Sequence, residues 1–314
     1  MPELPEVETV RRGLHEQLAG RTFAGLSFLE WPRTIESPAP DELDRRLAGR
    51  RVIGVGRRAK FLVLDLEGGE HLVIHLRMTG QLRVLPADAP RDRHERVAFA
   101  LAGGDELRFT DTRRFGRIAL LDDAALAARF RDLGPEPLGD DLTAADFAAR
   151  LAARRTRLKP LLLDQSFLAG LGNIYVDEAL FRAGLHPLTI AADVPPARAA
   201  ALYAAIREVL TDAIGSGGTT FSTYRDAFGQ AGDYYERRRV YGRAGEPCPT
   251  CGAQIERIVV GGRGTHYCPI CQPAPGAPPA GEIIPLPARR PLRRVAEAGD
   301  EYTTEDAEHA ETRK

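Results

Sequence analysis

The sequence contains no long hydrophobic run, and this excludes one class of protein at the outset. Its 314 residues are 43% hydrophobic, yet no stretch of about 18 consecutive apolar residues occurs, so a membrane-spanning helix is not expected. The start of the chain also lacks a basic segment followed by an apolar one, so a secretory signal is not expected either. Both absences indicate a protein of the cytoplasm.

An excess of positive charge is also missing, since 43 basic and 44 acidic residues give a net charge of −1. This balance argues weakly against binding to nucleic acid. The basic residues are nevertheless clustered, and local patches rather than net charge attract phosphate. Three stretches are rich in arginine: Arg50–Lys60, Arg150–Lys159 and Arg237–Gln272. Each could equally be a solvated surface, so the clusters favour a nucleic-acid partner without establishing one.

Lysine is scarce, with only Lys60, Lys159 and Lys314 among the 43 basic residues. Arginine and lysine are not interchangeable, because the lysine ammonium is compact whereas the guanidinium is a planar fork. In a chain so biased towards arginine, the two internal lysines indicate positions where a compact ammonium is needed. Retention by chance is an equally good explanation.

The pattern of hydrophobic residues divides the chain into parts of different structure. Residues 5–19 carry apolar side chains at helical spacing, which predicts an amphipathic helix. Residues 22–121 contain short segments separated by glycine turns, which predict a sandwich or barrel of strands. A linker rich in proline and glycine at 134–139 precedes predicted helices from 143 to 214. The proline-rich segment 273–314, of mixed charge, is predicted to be disordered.

Only four cysteines are present, and all four lie in two Cys-x-x-Cys pairs. Cys248 and Cys251 form the first pair, Cys268 and Cys271 the second, and 16 residues separate the pairs. This spacing is typical of a tetrahedral zinc site with four thiolate ligands, which leaves no open position for a reacting water. We therefore predict one structural zinc ion. Two disulfides are the alternative, which an oxidising compartment would favour.

The first residues combine an amine with a carboxylate. Removal of the initiator methionine would leave Pro2 with a free secondary amine, and an α-amino group titrates near pH ~8, so that it is partly neutral and nucleophilic in the cell. Glu3 lies directly beside it in the sequence. An amine nucleophile next to an acid is suited to Schiff-base chemistry on a sugar aldehyde carbon. The alternative is structural, because Pro5 and Glu6 also suit the first turn of a helix.

Two predicted turns carry side chains that could enter a stack of bases. Arg113 and Phe115 lie in the segment 110–116, where an arginine can hydrogen-bond an orphaned base and a ring can wedge between bases. Met78 lies at a glycine turn after an apolar strand. The alternatives are a hairpin tip with a buried phenylalanine and a methionine in the core. The two turns alone do not decide between these interpretations.

The order of these motifs resembles that of a known family. The N-terminal sequence Met-Pro-Glu-Leu-Pro-Glu-Val-Glu-Thr-Val and the segment Leu168–Tyr175, with its glycine turn, resemble the formamidopyrimidine-DNA glycosylases. These repair enzymes, close relatives of endonuclease VIII, excise oxidised bases. The resemblance is collinear from Met1 to about Gln272 and covers the start, the lysine strand, the two turns, the glycine turn and the four cysteines.

The resemblance implies a multi-domain α+β fold. This fold has an N-terminal β-sandwich with a leading helix, followed by a C-terminal helical domain with a helix–two-turn–helix element and a β-hairpin zinc finger. The implied boundaries are 1–134 for the catalytic sandwich domain, 135–235 for the helical domain with its lesion loop, 236–272 for the zinc finger and 273–314 for the tail. The implied partner is damaged double-stranded DNA, bound by a monomer.

The same resemblance assigns roles to particular residues. The implied catalytic group consists of Pro2, Glu3, Lys60 and Arg263. The implied DNA-binding group consists of His75, Met78, Arg113, Phe115, Lys159 and Asn173. Four members of these groups would pinch the backbone of the damaged strand: Lys60, His75, Asn173 and Arg263. Three would fill the hole left by the extruded base: Met78, Arg113 and Phe115. Lys159 would lie near the lesion.

The implied function is that of a bifunctional DNA glycosylase and AP lyase of base excision repair. The enzyme would excise oxidised purines, namely 8-oxoguanine and formamidopyrimidines, through a Schiff base at Pro2 followed by β,δ-elimination, with Glu6 a weaker candidate for proton transfer. One alternative is an endonuclease VIII-like enzyme for oxidised pyrimidines, which Leu4 disfavours because that branch usually has glycine there. The other is a zinc-ribbon DNA-binding protein without catalysis. The departure from the family pattern at Phe221–Tyr224 leaves the preferred base open.

Overall fold

The computed structural model describes residues 2–220 and 223–276. Part of the predicted lesion loop, Phe221 and Ser222, lies outside the described residues. Most of the predicted disordered tail, from residue 277 onwards, lies outside them as well.

The N-terminal part begins with a helix and continues as two packed β-sheets. Helix α1 spans Leu4–Leu18. The strands are β1 Phe23–Leu29, β2 Ile35–Ser37, β3 Val52–Arg58, β4 Phe61–Leu66, β5 Glu70–His75, β6 Gly80–Pro86, β7 Glu95–Leu101, β8 Asp105–Asp111 and β9 Arg117–Asp122. Two short helices accompany them, α2 Pro40–Leu47 and α3 Asp123–Phe130.

After β5, the chain crosses between the two sheets at two neighbouring turns. One sheet has the order β2-β9-β5-β4-β3 and the other the order β1-β7-β8-β6. The link from β5 to β6 therefore leaves the five-stranded sheet, and the link from β8 to β9 returns to it. Because β6 pairs with β8, with Gly80 opposite Asp111, and β5 pairs with β9, with His75 opposite Arg117, the two turns lie side by side.

The sandwich core forms because apolar side chains alternate along the strands and recur at helical spacing in α1. In β4 the side chains of Leu62, Leu64 and Leu66 are buried, and in β8 those of Leu107 and Phe109 are buried. The apolar face of α1 consists of Val7, Val10, Leu14 and Leu18, all fully buried in the same cluster. Each such side chain contributes roughly 1.5–3 kcal/mol through removal of apolar surface from water.

Helix α2 lies within residues 22–121, which were predicted to be strands and turns, and helix α3 just beyond them was not predicted. Helix α2 has only two apolar positions that face the core, Leu43 and Leu47, which is too few to give a clear helical period. Strand β1 is interrupted by Gly25 and has register shifts against β7. These elements depend on packing against the sheets more than on local pattern.

Helices form the second part of the chain, and a hairpin packs against one of them. They are α4 Ala144–Ala152, α5 Leu158–Leu163, α6 Asn173–Arg182 and α7 Pro196–Gly215. Thr143 is the N-cap of α4, since its hydroxyl accepts the Asp146 N–H at 3.1 Å. The hairpin strands are β10 Glu256–Val260 and β11 Arg263–Tyr267. The predicted fold class is confirmed, and no helix among the described residues is long and apolar enough to span a bilayer.

Candidate active site and nucleic-acid interface

The start of the chain is held against the glycine turn that precedes α6. The Leu4 N–H donates to the Gly170 carbonyl at 3.1 Å, and Gly170 has a φ of +88°, a conformation that glycine adopts readily. A Cβ at Gly172 would lie 2.7 Å from Cγ of Glu3. Because neither glycine carries a side chain, Leu4 and Glu3 can be buried at this turn.

The Glu3 carboxyl lies at the first turn of α6 and is almost fully buried, with 3% of its surface exposed. Its Oε1 accepts the Ile174 N–H at 3.1 Å, whereas its buried Oε2 has no hydrogen-bond partner among the described residues. Burial raises the pKa of Glu3, and the Lys60 ammonium opposes this shift. One carboxyl oxygen is thus anchored while the other is available to exchange a proton with a bound molecule.

A second buried carboxyl, that of Glu6, connects the start of the chain to two distant segments. Its Oε2 accepts the Glu3 N–H at 2.8 Å, and its Oε1 accepts the Thr219 N–H at 2.7 Å and the hydroxyl of Tyr175. Burial, reinforced by the nearby charge of Glu3, raises the pKa of Glu6 to about 7. The Glu6 carboxyl therefore fixes the backbone at Glu3 relative to the loop that follows α7.

Lys60 lies at the tip between β3 and β4 and faces the same carboxyls. The ammonium group is largely enclosed, with 8% of the residue exposed. Burial lowers the pKa of Lys60, and the charges of Glu3 and Glu6 oppose this. The tip itself is braced because the Glu136 carboxylate accepts the Ala59 N–H at 2.6 Å. The structure thus brings Lys60 together with the predicted catalytic pair.

His75, at the end of β5, is held in one neutral form. Burial, with further contributions from the positive charges of Arg77 and Lys60, lowers the pKa of His75 to about 3. The Arg77 N–H donates to Nδ1 of His75 at 2.9 Å, so the ring proton resides on Nε2. A neutral imidazole with an Nε2–H can donate a hydrogen bond to a phosphate oxygen.

Asn173 and Arg263 are brought together although 90 residues separate them in the sequence. Asn173 opens α6, and its Nδ2 donates to the Gly264 carbonyl at 2.9 Å, next to Arg263. Arg263 is the first residue of β11 and is exposed. The amide of Asn173 therefore connects the glycine turn to the strand that carries the arginine.

Lys159 is placed differently from the other predicted DNA-binding residues. Its side chain is completely buried, and its ammonium is paired with the Asp177 carboxylate. Asp177 also accepts the His266 N–H at 2.9 Å, which links α5, α6 and β11. In this arrangement Lys159 lies beneath the site and presents no ammonium to the surface, so the structure gives it an anchoring position rather than a DNA-facing one.

The two turns between the sheets present their apolar tips to solvent. Met78 is 36% exposed and Phe115 is 46% exposed, so neither belongs to the core in this structure. Arg113 lies over the ring of Phe115, with its guanidinium carbon 4.8 Å from the ring centroid. The alternative interpretations of a buried phenylalanine and a core methionine are therefore wrong.

The four cysteine sulfurs converge on one point. The Sγ atoms of Cys248, Cys251, Cys268 and Cys271 all lie within 4.8 Å of one another. The Sγ atoms of Cys248 and Cys271 are 3.8 Å apart, and those of Cys251 and Cys268 are 3.4 Å apart. Tetrahedral zinc with Zn–S bonds of about 2.3 Å requires sulfurs roughly 3.8 Å apart. The donor set and its geometry fit one structural zinc ion.

Family models match three consecutive parts of this chain. The formamidopyrimidine-DNA glycosylase N-terminal domain matches residues 1–118, the H2TH domain of the same enzymes matches residues 133–225, and the zinc finger found in these enzymes and in IleRS matches residues 245–274. A formamidopyrimidine-DNA glycosylase from Herpetosiphon aurantiacus is 52% identical over 272 residues, which cover 87% of this chain and 100% of the relative.

The chain belongs to the formamidopyrimidine-DNA glycosylase family. The formamidopyrimidine-DNA glycosylase of Chloroflexus aurantiacus is 51% identical over 87% of this chain and 98% of its own length. The Lactococcus lactis enzyme solved with DNA containing an abasic site is 37% identical, with a TM-score of 0.81 over 86% of this chain and 99% of that chain. The same enzyme solved with Fapy-dG DNA is 36% identical, with a TM-score of 0.80 over 86% of this chain and all of that one.

Membership of this family establishes an enzyme that repairs damaged bases in DNA by base excision, with a structural zinc in its finger domain. Contacts with α6 hold the zinc finger to the rest of the chain. Glu178 on α6 accepts the backbone N–H groups of Arg239, Val240 and Tyr241 at 2.7–3.0 Å. The finger therefore rests on two neighbouring carboxylates of one helix, Asp177 and Glu178.

Several residues that support the site were not predicted from the sequence. Asp177 and Glu178 lie in the middle of a helix and belong to no motif that indicates a role. Asp111, which accepts hydrogen bonds from two turns, ends an ordinary strand. One signal was available for Asp111, because its position directly before an exposed Thr-Arg-Arg-Phe-Gly turn is one where a carboxylate commonly accepts backbone N–H groups.

Proposed function

We propose that this family member is a bifunctional DNA glycosylase and AP lyase that removes oxidised purines, 8-oxoguanine and formamidopyrimidines, from double-stranded DNA. The observation that carries the proposal is the arrangement of Pro2 and Glu3. Pro2 lies beside a buried carboxyl that has one anchored and one unpartnered oxygen, with the Lys60 ammonium facing it. This places an amine and an acid within one enclosed site.

The reaction follows from the chemistry of these two groups once methionine removal has freed the Pro2 amine. A base must first leave the stack, since C1′ is inaccessible within it. The Pro2 nitrogen then attacks C1′, and the damaged base departs with the electron pair of its glycosidic bond. Glu3 donates a proton to the ring oxygen O4′, and the sugar opens to an iminium. Loss of a C2′ proton expels the 3′ phosphate, and a second elimination expels the 5′ phosphate.

The DNA contacts we propose follow the placement of the basic and exposed side chains. Lys60, His75, Asn173 and Arg263 would bind the backbone of the damaged strand, whose phosphates they can neutralise or hydrogen-bond. Met78, Arg113 and Phe115 would fill the space vacated by the damaged nucleotide. Lys159 would act indirectly, by holding Asp177 beneath the strand that carries Arg263.

The substrate branch and the setting are part of the same proposal. Leu4, which is buried against Gly170, favours the purine branch, because an endonuclease VIII-like enzyme usually has glycine at this position. The named relatives are formamidopyrimidine-DNA glycosylases, and solved Lactococcus lactis complexes contain Fapy-dG DNA. We propose that the chain acts as a monomer in the bacterial cytoplasm, at the nucleoid, with functional parts bounded at residues 134, 235 and 272.

Borohydride trapping tests the proposal directly, because reduction converts the imine into a stable covalent link between protein and DNA. Duplexes carrying 8-oxoguanine, an oxidised pyrimidine or an abasic site are incubated with the mature protein, and peptide mapping locates the link. A link at Pro2 on 8-oxoguanine DNA is expected. A link at Pro2 with oxidised pyrimidine alone would move the protein to the endonuclease VIII-like branch. The absence of any link, with mature Pro2 and bound zinc verified, would contradict the mechanism.

A Pro2→Gly variant supplies the matching control. Glycine provides a primary amine at the terminus in place of the secondary amine of proline, and it lacks the fixed geometry of proline. We expect slower trapping with intact binding to a duplex that carries a stable abasic analogue. Trapping at the wild-type rate by this variant would mean that the nucleophile lies elsewhere.

A further inference from the structure

The two turns that cross between the sheets share one buried carboxylate. This observation gains a functional meaning only with the proposed function, in which Met78 on one turn and Arg113 and Phe115 on the other enter the DNA together. The carboxylate belongs to Asp111, the last residue of β8, which is 1% exposed. Its register partner across the sheet is Gly80, at the start of β6.

Asp111 accepts hydrogen bonds from both turns. Its Oδ2 accepts the Gly116 N–H at 2.7 Å, and its Oδ1 accepts the Arg113 N–H at 3.1 Å, which closes the second turn from within. The Thr79 hydroxyl, next to Met78 on the first turn, donates to the same Oδ1. The Arg113 N–H also lies 3.1 Å from the Thr79 oxygen. Thr79 is therefore bonded to both the carboxylate and the backbone of the opposite turn.

The surroundings leave these turns little room to adjust separately. A Cβ at Gly116 would lie 3.2 Å from Oδ2 of Asp111 and would collide with the Phe109 ring, so this glycine permits the close approach. Arg114 has a φ of +59°, and its guanidinium is bonded to Glu30 at 2.9 Å and stacked on Trp31. The outer side of the second turn is thus fixed to the two residues that follow β1, while Asp111 fixes its inner side.

We propose that Thr79 and Asp111 are positioning residues that join the two turns into one inserting unit. Insertion of a side chain between stacked bases costs unstacking energy. The contacts of the side chain offset this energy only if the side chain is correctly positioned. A carboxylate that accepts three donors holds the turns more strongly than neutral hydrogen bonds would. The hydroxyl of Thr79 therefore sets where Arg113 meets the base opposite the lesion, although Thr79 lies on the other turn.

A double-mutant cycle tests this coupling in the full chain with its zinc. Thr79→Val removes the hydroxyl with almost no change in shape, and Arg113→Ala removes the guanidinium. Dissociation constants for a duplex with a stable abasic analogue are measured for both single variants, the double variant and the wild type. We expect Thr79→Val to weaken binding about tenfold, the size of one charge-assisted hydrogen bond. Arg113→Ala should then cost several-fold less in the Thr79→Val background than in the wild type.

Two controls separate positioning from stability. Thr79→Ser keeps the hydroxyl and should restore most of the affinity and the full effect of Arg113→Ala. Thr143→Val removes another threonine-to-aspartate hydrogen bond, from Thr143 to Asp146 at the N-terminus of α4, and should leave the cycle unchanged. If Thr79→Val proves poorly folded, Thr79→Ala, which removes the same hydroxyl, takes its place.

If the losses in DNA affinity caused by Thr79→Val and Arg113→Ala multiply independently in the double variant, the inference is overturned. Trapping at Pro2 would in that case still support the proposed function. An Arg113→Ala variant that binds as well as the wild type would remove the premise that Arg113 meets DNA, and the inference would fall with it. Reduced coupling in Thr79→Val together with rescue by Thr79→Ser is the result that supports the joint action of the two turns.

Discussion

Glu3 and Glu6 are one helical turn apart, and both are buried, yet their surroundings suit them to different tasks. Glu3 has an oxygen without a partner among the described residues, whereas both oxygens of Glu6 accept hydrogen bonds from the protein. A carboxyl that is fully engaged is suited to hold the backbone. A carboxyl with a free oxygen is suited to exchange a proton, and the proposed mechanism assigns that step to Glu3 alone.

Glu3→Gln is therefore expected to slow base excision by about 10²–10⁴-fold, the usual contribution of a general acid. The amide can still accept the Ile174 N–H, so affinity for a duplex with a stable abasic analogue should change little. Single-turnover excision and a gel-shift titration measure the two quantities. Glu16→Gln, at an exposed position on α1, is the matched control. Excision by Glu3→Gln at the wild-type rate would show that another group supplies the proton.

The raised pKa of Glu6 makes a prediction about stability. Its folded pKa of about 7 exceeds the ordinary glutamate value of 4.5, so the folded protein binds more protons than the unfolded chain between these pH values. Stability should therefore fall as the pH rises from about 4.5 to 7, by up to about 3 kcal/mol from this group. Denaturant unfolding across this range for the wild type and Glu6→Gln checks it. A pH slope that is identical in both proteins would contradict the assignment.

Sequence motifs alone marked the residues that the proposed mechanism uses, because Pro2-Glu3, the scarce lysines and the cysteine pairs are unusual in themselves. They could not find Asp111, Asp177 or Glu178. These carboxylates act through backbone N–H groups that come from distant parts of the chain, and such partners exist only after folding. For Lys159 the scarcity of lysine identified a special position, but its burial against Asp177 depends on the packing of α5 on α6.

At the scale of elements, α1 contains a glycine that helix propensity does not explain. Gly13 is buried in the middle of the helix, and a Cβ there would lie 2.9 Å from both Ala227 Cβ and a ring carbon of Phe228. The part of the lesion loop (residues 216–234) that follows residue 222 thus packs directly against the backbone of α1. This segment is also held by Gln81, whose Nε2 donates to the Thr223 carbonyl at 2.6 Å.

Gly13→Ala is expected to release this segment. Alanine normally stabilises a helix interior by about 1 kcal/mol relative to glycine, but here the added methyl would displace Ala227 and Phe228. Trypsin should cleave after Arg225 faster in the variant, and excision should slow. Gly215→Ala, at a helical glycine with nothing within 4 Å of its Cβ position, is the control and should not increase cleavage. Unchanged cleavage in Gly13→Ala would mean that the segment adapts to the methyl.

Elements with a strong period were predicted well, and those shaped by their neighbours were not. In β4, Phe61–Leu66, apolar side chains and the flanking turns mark both ends in the sequence. Helix α2 was missed, since only two of its apolar positions, Leu43 and Leu47, face the core. Glycines at positions 68, 69, 103 and 104 mark the hairpin turns at 67–70 and 102–105 in the sequence, and all four adopt positive φ.

At the scale of the whole molecule, carboxylates of α6 hold the zinc finger against the rest of the protein. Removal of zinc by a chelator should unfold the finger, because metal binding and folding are coupled. The position of Arg263 on β11 would then be lost, and affinity for abasic-analogue DNA should fall steeply. Thermal unfolding and DNA titration before and after chelation, with zinc added back as control, measure both effects. Full affinity in the metal-free protein would show that the finger is not needed to grip DNA.

The contacts at Glu3 and Glu6 also bear on how the enzyme is made. Glu3 meets Ile174 across 171 residues, and Glu6 meets Thr219 across 213. A ribosome adds about 5–20 residues per second, so the first residues wait for tens of seconds before their partners emerge. During that time the strands of the sandwich can pair, while Glu3 and Glu6 have no partner in α6 or in the loop after α7. We expect an incomplete chain that reached DNA to carry the proposed nucleophile without the site that aims it, and to leave the sugar intact.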